Sequence, residues 1–91
     1  MAFYVLEYRY ADMERRARAR PRHLDYVGGL HRQGKVLMAG TLADGTGAIV
    51  VYEASDEAEV RRLIEDDPYS SEGVTAEVRL REWVVAIPAH S

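Results

Sequence analysis

Two short segments carry side chains suited to proton transfer: Arg20-Pro21-Arg22-His23 and, far downstream, Asp67-Pro68-Tyr69. An imidazole takes up or gives up a proton near neutral pH. A carboxylate beside it selects its tautomer and holds its charged form. Brought together, His23 and Asp67 would form a general base or acid with an orienting partner. Kept apart, His23 is a helix-entry residue bonded to nearby backbone and Asp67 a turn residue before proline. The chain has no cysteine, and no serine has an attendant base, so elimination or isomerisation is favoured over acyl transfer. No metal-ligand spacing, phosphate-binding loop or dinucleotide fingerprint occurs, so neither a metal nor a cofactor is expected. His31 and His90 read as exposed, and His31 forms no metal-ligand spacing with His23.

Whether the two segments meet depends on the elements that carry them. Residues 3–10 read as a strand, rich in aromatic and β-branched types. Asp12 to Arg20 reads as loop mixed with helix entry, and Pro21 suits a first helical position. A helix then runs to about Gln33 with Leu24, Val27 and Leu30 as its apolar stripe, and Gly34 ends it. Gly28-Gly29 inside it costs about 1–2 kcal/mol against alanine and suggests close packing or a bend. Lys35 to Leu42 is a second strand, Asp44-Gly45-Thr46-Gly47 a hairpin turn, and Ala48 to Ala54 a third strand. Ser55 caps a second helix that runs to about Asp66 and stops before Pro68. A loop from Tyr69 to Gly73 leads into a long last strand, Val74 to Ile87.

The order is β-α-β-β-α-β, a ferredoxin-like α+β domain over residues 1–91 with a four-stranded antiparallel sheet and both helices on one face. In that topology the start of the first helix and the end of the second lie at the same end of the sheet. His23 shares the stripe of Val27 and Leu30, and Asp67 continues the stripe of Val60, Leu63 and Ile64, so both point toward the sheet. A carboxylate on an apolar stripe must be paired, hydrogen-bonded or functional. The same end collects Tyr8, Tyr10, Gly40, Thr41, the Asp44–Gly47 turn and the loop after Tyr69. Tyr8, Tyr10 and Tyr69 could frame a flat ring, Gly40 permits close approach, and Arg20 and Arg22 could receive a carboxylate. The blander readings are core or interface aromatics, solvated arginines and a kink at Gly40.

With 15 acidic and 12 basic side chains, the net charge of −3 argues against a nucleic-acid partner. The run from Arg15 to Arg22 is flanked by Asp12, Glu14 and Asp25 and reads as a solvated face. The N-terminus has neither a basic leader nor a long apolar stretch, so no membrane partner is expected, and absent cysteine fits a cytoplasmic location. The strands are apolar on both sides: Phe3 and Val5 oppose Tyr4, Leu6 and Tyr8, and Trp83, Val85 and Ile87 oppose Val84 and Ala86. A second apolar face needs a second layer, so the open face is expected to pack against its copy in a homodimer.

On Arg20-Pro21-Arg22-His23-Leu24, Gly34-Lys35-Val36-Leu37-Met38-Ala39-Gly40, and Asp67-Pro68-Tyr69 with Gly73, the chain resembles the YciI-like (YCII-related) family across nearly its whole length. The resemblance implies a dimeric ferredoxin-like α/β-barrel protein with His23 and Asp67 as active-site pair, and acid–base lyase or dehydrochlorinase chemistry on hydroxylated aromatics. The short hairpin at Asp44–Gly47 departs from the longer loop of many relatives and would leave the pocket less covered. Two readings follow. In one, the protein is an enzyme in which His23 is general base or acid, Asp67 orients it, and Arg20, Gly40, Tyr69 and Tyr8 bind a small, aromatic, anionic substrate. In the other, it is a non-catalytic dimeric module that binds a small metabolite or serves as accessory subunit, with the pair kept as a structural hydrogen bond.

Overall fold

Alternation along the first strand, β1 (Ala2–Tyr10), turns Tyr4, Leu6 and Tyr8 inward. Their cross-strand partners Tyr52, Val50 and Ala48 on β3 (Gly47–Ala54) face the same way, as the two-residue period requires. Those side chains form one core with Ala19, Val27 and Leu30 of α1 (Met13–Arg32), Val60 of α2 (Glu57–Glu65) and Tyr69 of α3 (Pro68–Ser71). The remaining strands are β2 (Val36–Thr41) and β4 (Thr75–Trp83). All pairings are antiparallel and the sheet order is β2-β3-β1-β4. This computed structural model describes residues 1–89, so His90 lies outside the described residues.

Helix α1 begins eight residues before Pro21, at Met13, and not at Pro21 as the sequence suggested. Asp12 caps it, its Oδ1 accepting the Glu14 and Arg15 amides at 2.9 and 3.0 Å. The stretch that follows is built of arginine and alanine, both strong helix formers. Pro21 therefore sits inside the helix, where it leaves the Ala17 carbonyl without its amide donor, a cost of about 3 kcal/mol when nothing compensates. Here the cap, the good propensity upstream and the buried stripe of Ala19, His23, Val27 and Leu30 carry the helix through. Leu24, expected on that stripe, is 48% exposed. Gly34, at φ +79°, ends the helix, and Lys35 N–H reaches back to the Leu30 carbonyl at 2.9 Å. A Cβ at Gly28 or Gly29 would meet only the tip of Arg32, at 3.6 and 3.8 Å, so no close packing explains that pair.

Three other boundaries differ from expectation. Asp56, not Ser55, caps α2: its Oδ1 accepts the Glu59 amide at 2.8 Å while Glu59 Oε1 accepts the Ser55 amide at 2.8 Å. The segment after Asp67 is a short helix and not a loop. Strand β4 stops at Trp83 and not Ile87. Its register pairs Trp83 with Phe3, and β1 has only Ala2 left to offer beyond that point, so further residues have no ladder to join. The hairpin between β2 and β3 needs glycine twice. Gly45 sits at φ +76°, and a Cβ on Gly47 would run into the Tyr8 carbonyl oxygen.

The face of the sheet away from the helices carries Val5, Ile49 and Val51 beside Trp83, which is 49% exposed. No helix among the described residues is long and apolar enough to cross a membrane.

Candidate active site

Asp67 follows α2 in extended conformation and caps α3, its Oδ1 accepting the Tyr69 amide at 2.9 Å. Pro68 holds the first helical position, where its missing N–H costs nothing and its fixed φ suits the turn. The Asp-Pro-Tyr triplet thus builds a rigid corner that aims a carboxylate back at α1. The same oxygen lies 2.8 Å from His23 Nδ1. Both residues are buried, at 7% and 6% exposure. Burial makes this hydrogen bond costly to lose, because a buried carboxylate without partners is strongly disfavoured.

The His23 ring is also clamped from one side. Tyr69 stacks on it with centroids 3.6 Å apart and an interplanar angle of 2°. Tyr8 and Tyr10 stand T-shaped to Tyr69, with ring centroids 6.5 and 6.4 Å away, and to each other at 5.9 Å. With Nδ1 committed to Asp67, Nε2 is the nitrogen left for a ligand. That assignment follows from the hydrogen bond, since the acceptor carboxylate requires Nδ1–H.

His23 lines a cavity of about 130 Å³ between α1 and the sheet, together with Tyr8, Tyr10, Arg16, Arg20 and Tyr69. Its floor is made of small residues, Ala39, Gly40 and Ala48. Tyr8 pairs directly with Ala48 across the ladder, and that small partner leaves the void. Desolvation pushes the Tyr8 hydroxyl pKa far up, with Tyr10 and Asp67 adding to it, so Tyr8 stays a neutral donor. Desolvation also raises Tyr69, against the downward pull of the Arg16 and Arg20 charges.

The structure brings His23, Asp67, Arg20, Gly40, Tyr69 and Tyr8 to this one region, with Asp67 behind His23. Arg22 does not join them: it pairs with Glu72 at 3.0 Å and points away from the cavity lining. Neither the Asp44–Gly47 turn nor Ser70–Gly73 reaches the lining. Sequence reasoning missed Arg16, because starting the helix at Pro21 left Arg16 in a loop. Its signal was the spacing to Arg20 and His23, which puts all three on one helical ridge once the helix extends upstream. Among the described residues no group of three or more His, Asp or Glu is arranged to hold a metal ion.

A family model described as the YCII-related domain matches residues 1–84. Among solved structures, the chain is similar to 5-chloro-2-hydroxyhydroquinone dehydrochlorinase from Burkholderia phenoliruptrix AC1100, solved in complex with 2,5-dihydroxybenzoquinone. The TM-score is 0.75 at 25% identity, over 89% of this chain and 93% of that one. No match was found among curated proteins.

Proposed function

Because this chain belongs to the YCII-related domain family, we propose that it is a small acid–base enzyme working by elimination or isomerisation on a small, anionic, ring-shaped substrate. The observation that carries this reading is the 2.8 Å His23–Asp67 bond at the wall of a cavity of about 130 Å³. A cavity of about 150 Å³ holds benzene; at about 130 Å³ this one is slightly smaller, which limits a ligand to a single ring. The similar dehydrochlorinase acts on a chlorinated hydroxyhydroquinone and was solved with a dihydroxybenzoquinone, which supports a substrate of that shape here.

In this reading Nε2 of His23 takes a proton from the substrate. The electron pair left behind forms a π bond and expels a leaving group such as chloride, or moves along the ring in an isomerisation. Asp67 stabilises the imidazolium that results and keeps the ring in place. Tyr8, Tyr69 and the Gly40 backbone position the ring, and Arg20 offsets its negative charge.

The test is a screen of chlorinated and unchlorinated hydroxyhydroquinones and related hydroxylated aromatics, following chloride release and the ultraviolet spectrum. Activity should fall by about 100-fold or more in His23→Ala, the usual weight of a positioned general base. Turnover unchanged by that substitution would remove the base assignment. The near-complete burial of the pair favours a second reading, a non-catalytic module that binds a small metabolite. Ligand binding without turnover of any compound, with wild type and His23→Ala alike, would support it.

We further infer that two copies associate through the open sheet face. Half-buried Val5 and Ile49 and the exposed Trp83, around a buried Val51, form an apolar surface on that face. A second copy would supply the missing layer.

A further inference from the structure

The cavity holds two positive charges and no matching negative one. Arg16 and Arg20 both line it, four residues apart on α1, where like charges repel. Two other arginines of the helix are paired: Arg15 lies 3.7 Å from Asp12, and Arg22 lies 3.0 Å from Glu72. Among the described residues no carboxylate forms an ion pair with Arg16 or Arg20. His23 already engages Asp67, so that carboxylate is committed elsewhere.

Arg16 is not a solvated side chain that happens to lie nearby. Its guanidinium carbon sits 4.4 Å above the Tyr10 ring centre, and Nη2 approaches Thr41 Oγ1 at 3.4 Å. Tyr10 and Thr41 are themselves joined, hydroxyl to hydroxyl, at 2.9 Å. Residues from β1, β2 and α1 therefore hold the guanidinium plane in one orientation. Its Nε is buried with no hydrogen-bond partner, which leaves the terminal nitrogens as the donors a ligand can reach. The result is a positive charge held at the cavity wall by Tyr10 and Thr41.

We propose that Arg16 is the specificity-determining residue of the cavity, its two terminal guanidinium nitrogens forming a fork for two oxygens of a planar anionic substituent. The ligand class is a ring bearing a carboxylate, or two adjacent oxygens sharing a negative charge, since a planar fork matches two coplanar acceptors and a single hydroxyl does not. Arg20 adds charge without the orienting contacts. This inference rests on the reading of the cavity as a substrate site and names what that substrate must carry.

The test is binding of 2,5-dihydroxybenzoate, set against uncharged hydroquinone, by titration calorimetry and NMR. Wild type, Arg16→Met, Arg16→Lys and Arg20→Met are compared, with circular dichroism and thermal melting to confirm that each is folded. Arg16→Met should weaken the benzoate roughly 10- to 100-fold, the scale of lost hydrogen bonds to a charged group, and leave hydroquinone within about twofold. Arg16→Lys should recover only part of that affinity, because it keeps the charge and loses the fork. Equal weakening of both probes, full rescue by lysine, or no benzoate binding by wild type would overturn the proposal. If Arg16 governs benzoate binding but no compound turns over, the enzyme reading fails and this one stands. If turnover depends on His23 while Arg16→Met leaves KM for acidic substrates unchanged, the reverse holds.

Discussion

At the scale of single residues, the site turns on one oxygen. Oδ1 of Asp67 accepts both the His23 ring at 2.8 Å and the Tyr69 amide at 2.9 Å, so it joins the base to the corner that aims it. An asparagine there would keep the shape but lose the charge that stabilises an imidazolium. Asp67→Asn should lower kcat strongly and leave KM little changed, because the affected state is the protonated histidine and not the bound ligand. It should also destabilise the fold by about 1–3 kcal/mol, measured by urea unfolding. A variant with unchanged kcat would show that Asp67 serves only as a cap. The pairing itself was legible in the sequence, since helix directions alone bring His23 and Asp67 to one end of the sheet. Arg16 was not, because its position depends on a helix running through a proline.

At the scale of elements, α1 and α2 are tied by a hydrogen bond from the Tyr26 hydroxyl to the Leu63 carbonyl at 2.6 Å. Burial pushes the Tyr26 pKa up from 10.0 to about 12, with Asp66 and Asp67 adding to the shift. A raised pKa in the folded state means that the stabilisation is complete below the unfolded value of 10.0 and is lost as pH rises toward about 12. Stability measured by chemical denaturation should therefore hold up to about pH 10 and then fall, and Tyr26→Phe should flatten part of that decline. Tyr4, Tyr8, Tyr52 and Tyr69, whose hydroxyls burial also raises, would contribute to the same decline. A decline of the same steepness in Tyr26→Phe would show that this link does not matter. The boundaries of the elements were less legible than their order. Pro21 signals a helix start only if nothing upstream forms helix, and the end of β4 depends on where β1 runs out.

For the whole molecule, the question is what covers the open face. A chain this short buries only about 60% of the surface it exposes when unfolded, so a second copy would add substantially to its stability. The protein should sediment as a dimer at micromolar concentration, and Trp83→Lys should shift it toward monomer by about 2 kcal/mol or more of association free energy. A monomer in the wild type would require another partner for this face. The cavity lies on the opposite side of the sheet, among residues of α1 and the core-facing strand positions. Trp83→Lys should therefore leave benzoate binding within the monomer intact.

By itself the sequence determined the order of strands and helices, the antiparallel hairpin, and the end of the sheet that gathers His23, Asp67 and the tyrosines. Those follow from periodicity, caps and turn residues, which depend on near neighbours in the chain. Only the tertiary structure decided that α1 runs from Met13 through Pro21, that α3 forms a corner behind His23, and that Arg16 enters the cavity while Arg22 leaves it for Glu72. Each of those outcomes is set by partners brought from distant parts of the chain. A proline's lost bond is tolerated only where a buried stripe compensates for it, and a strand ends where its neighbour does.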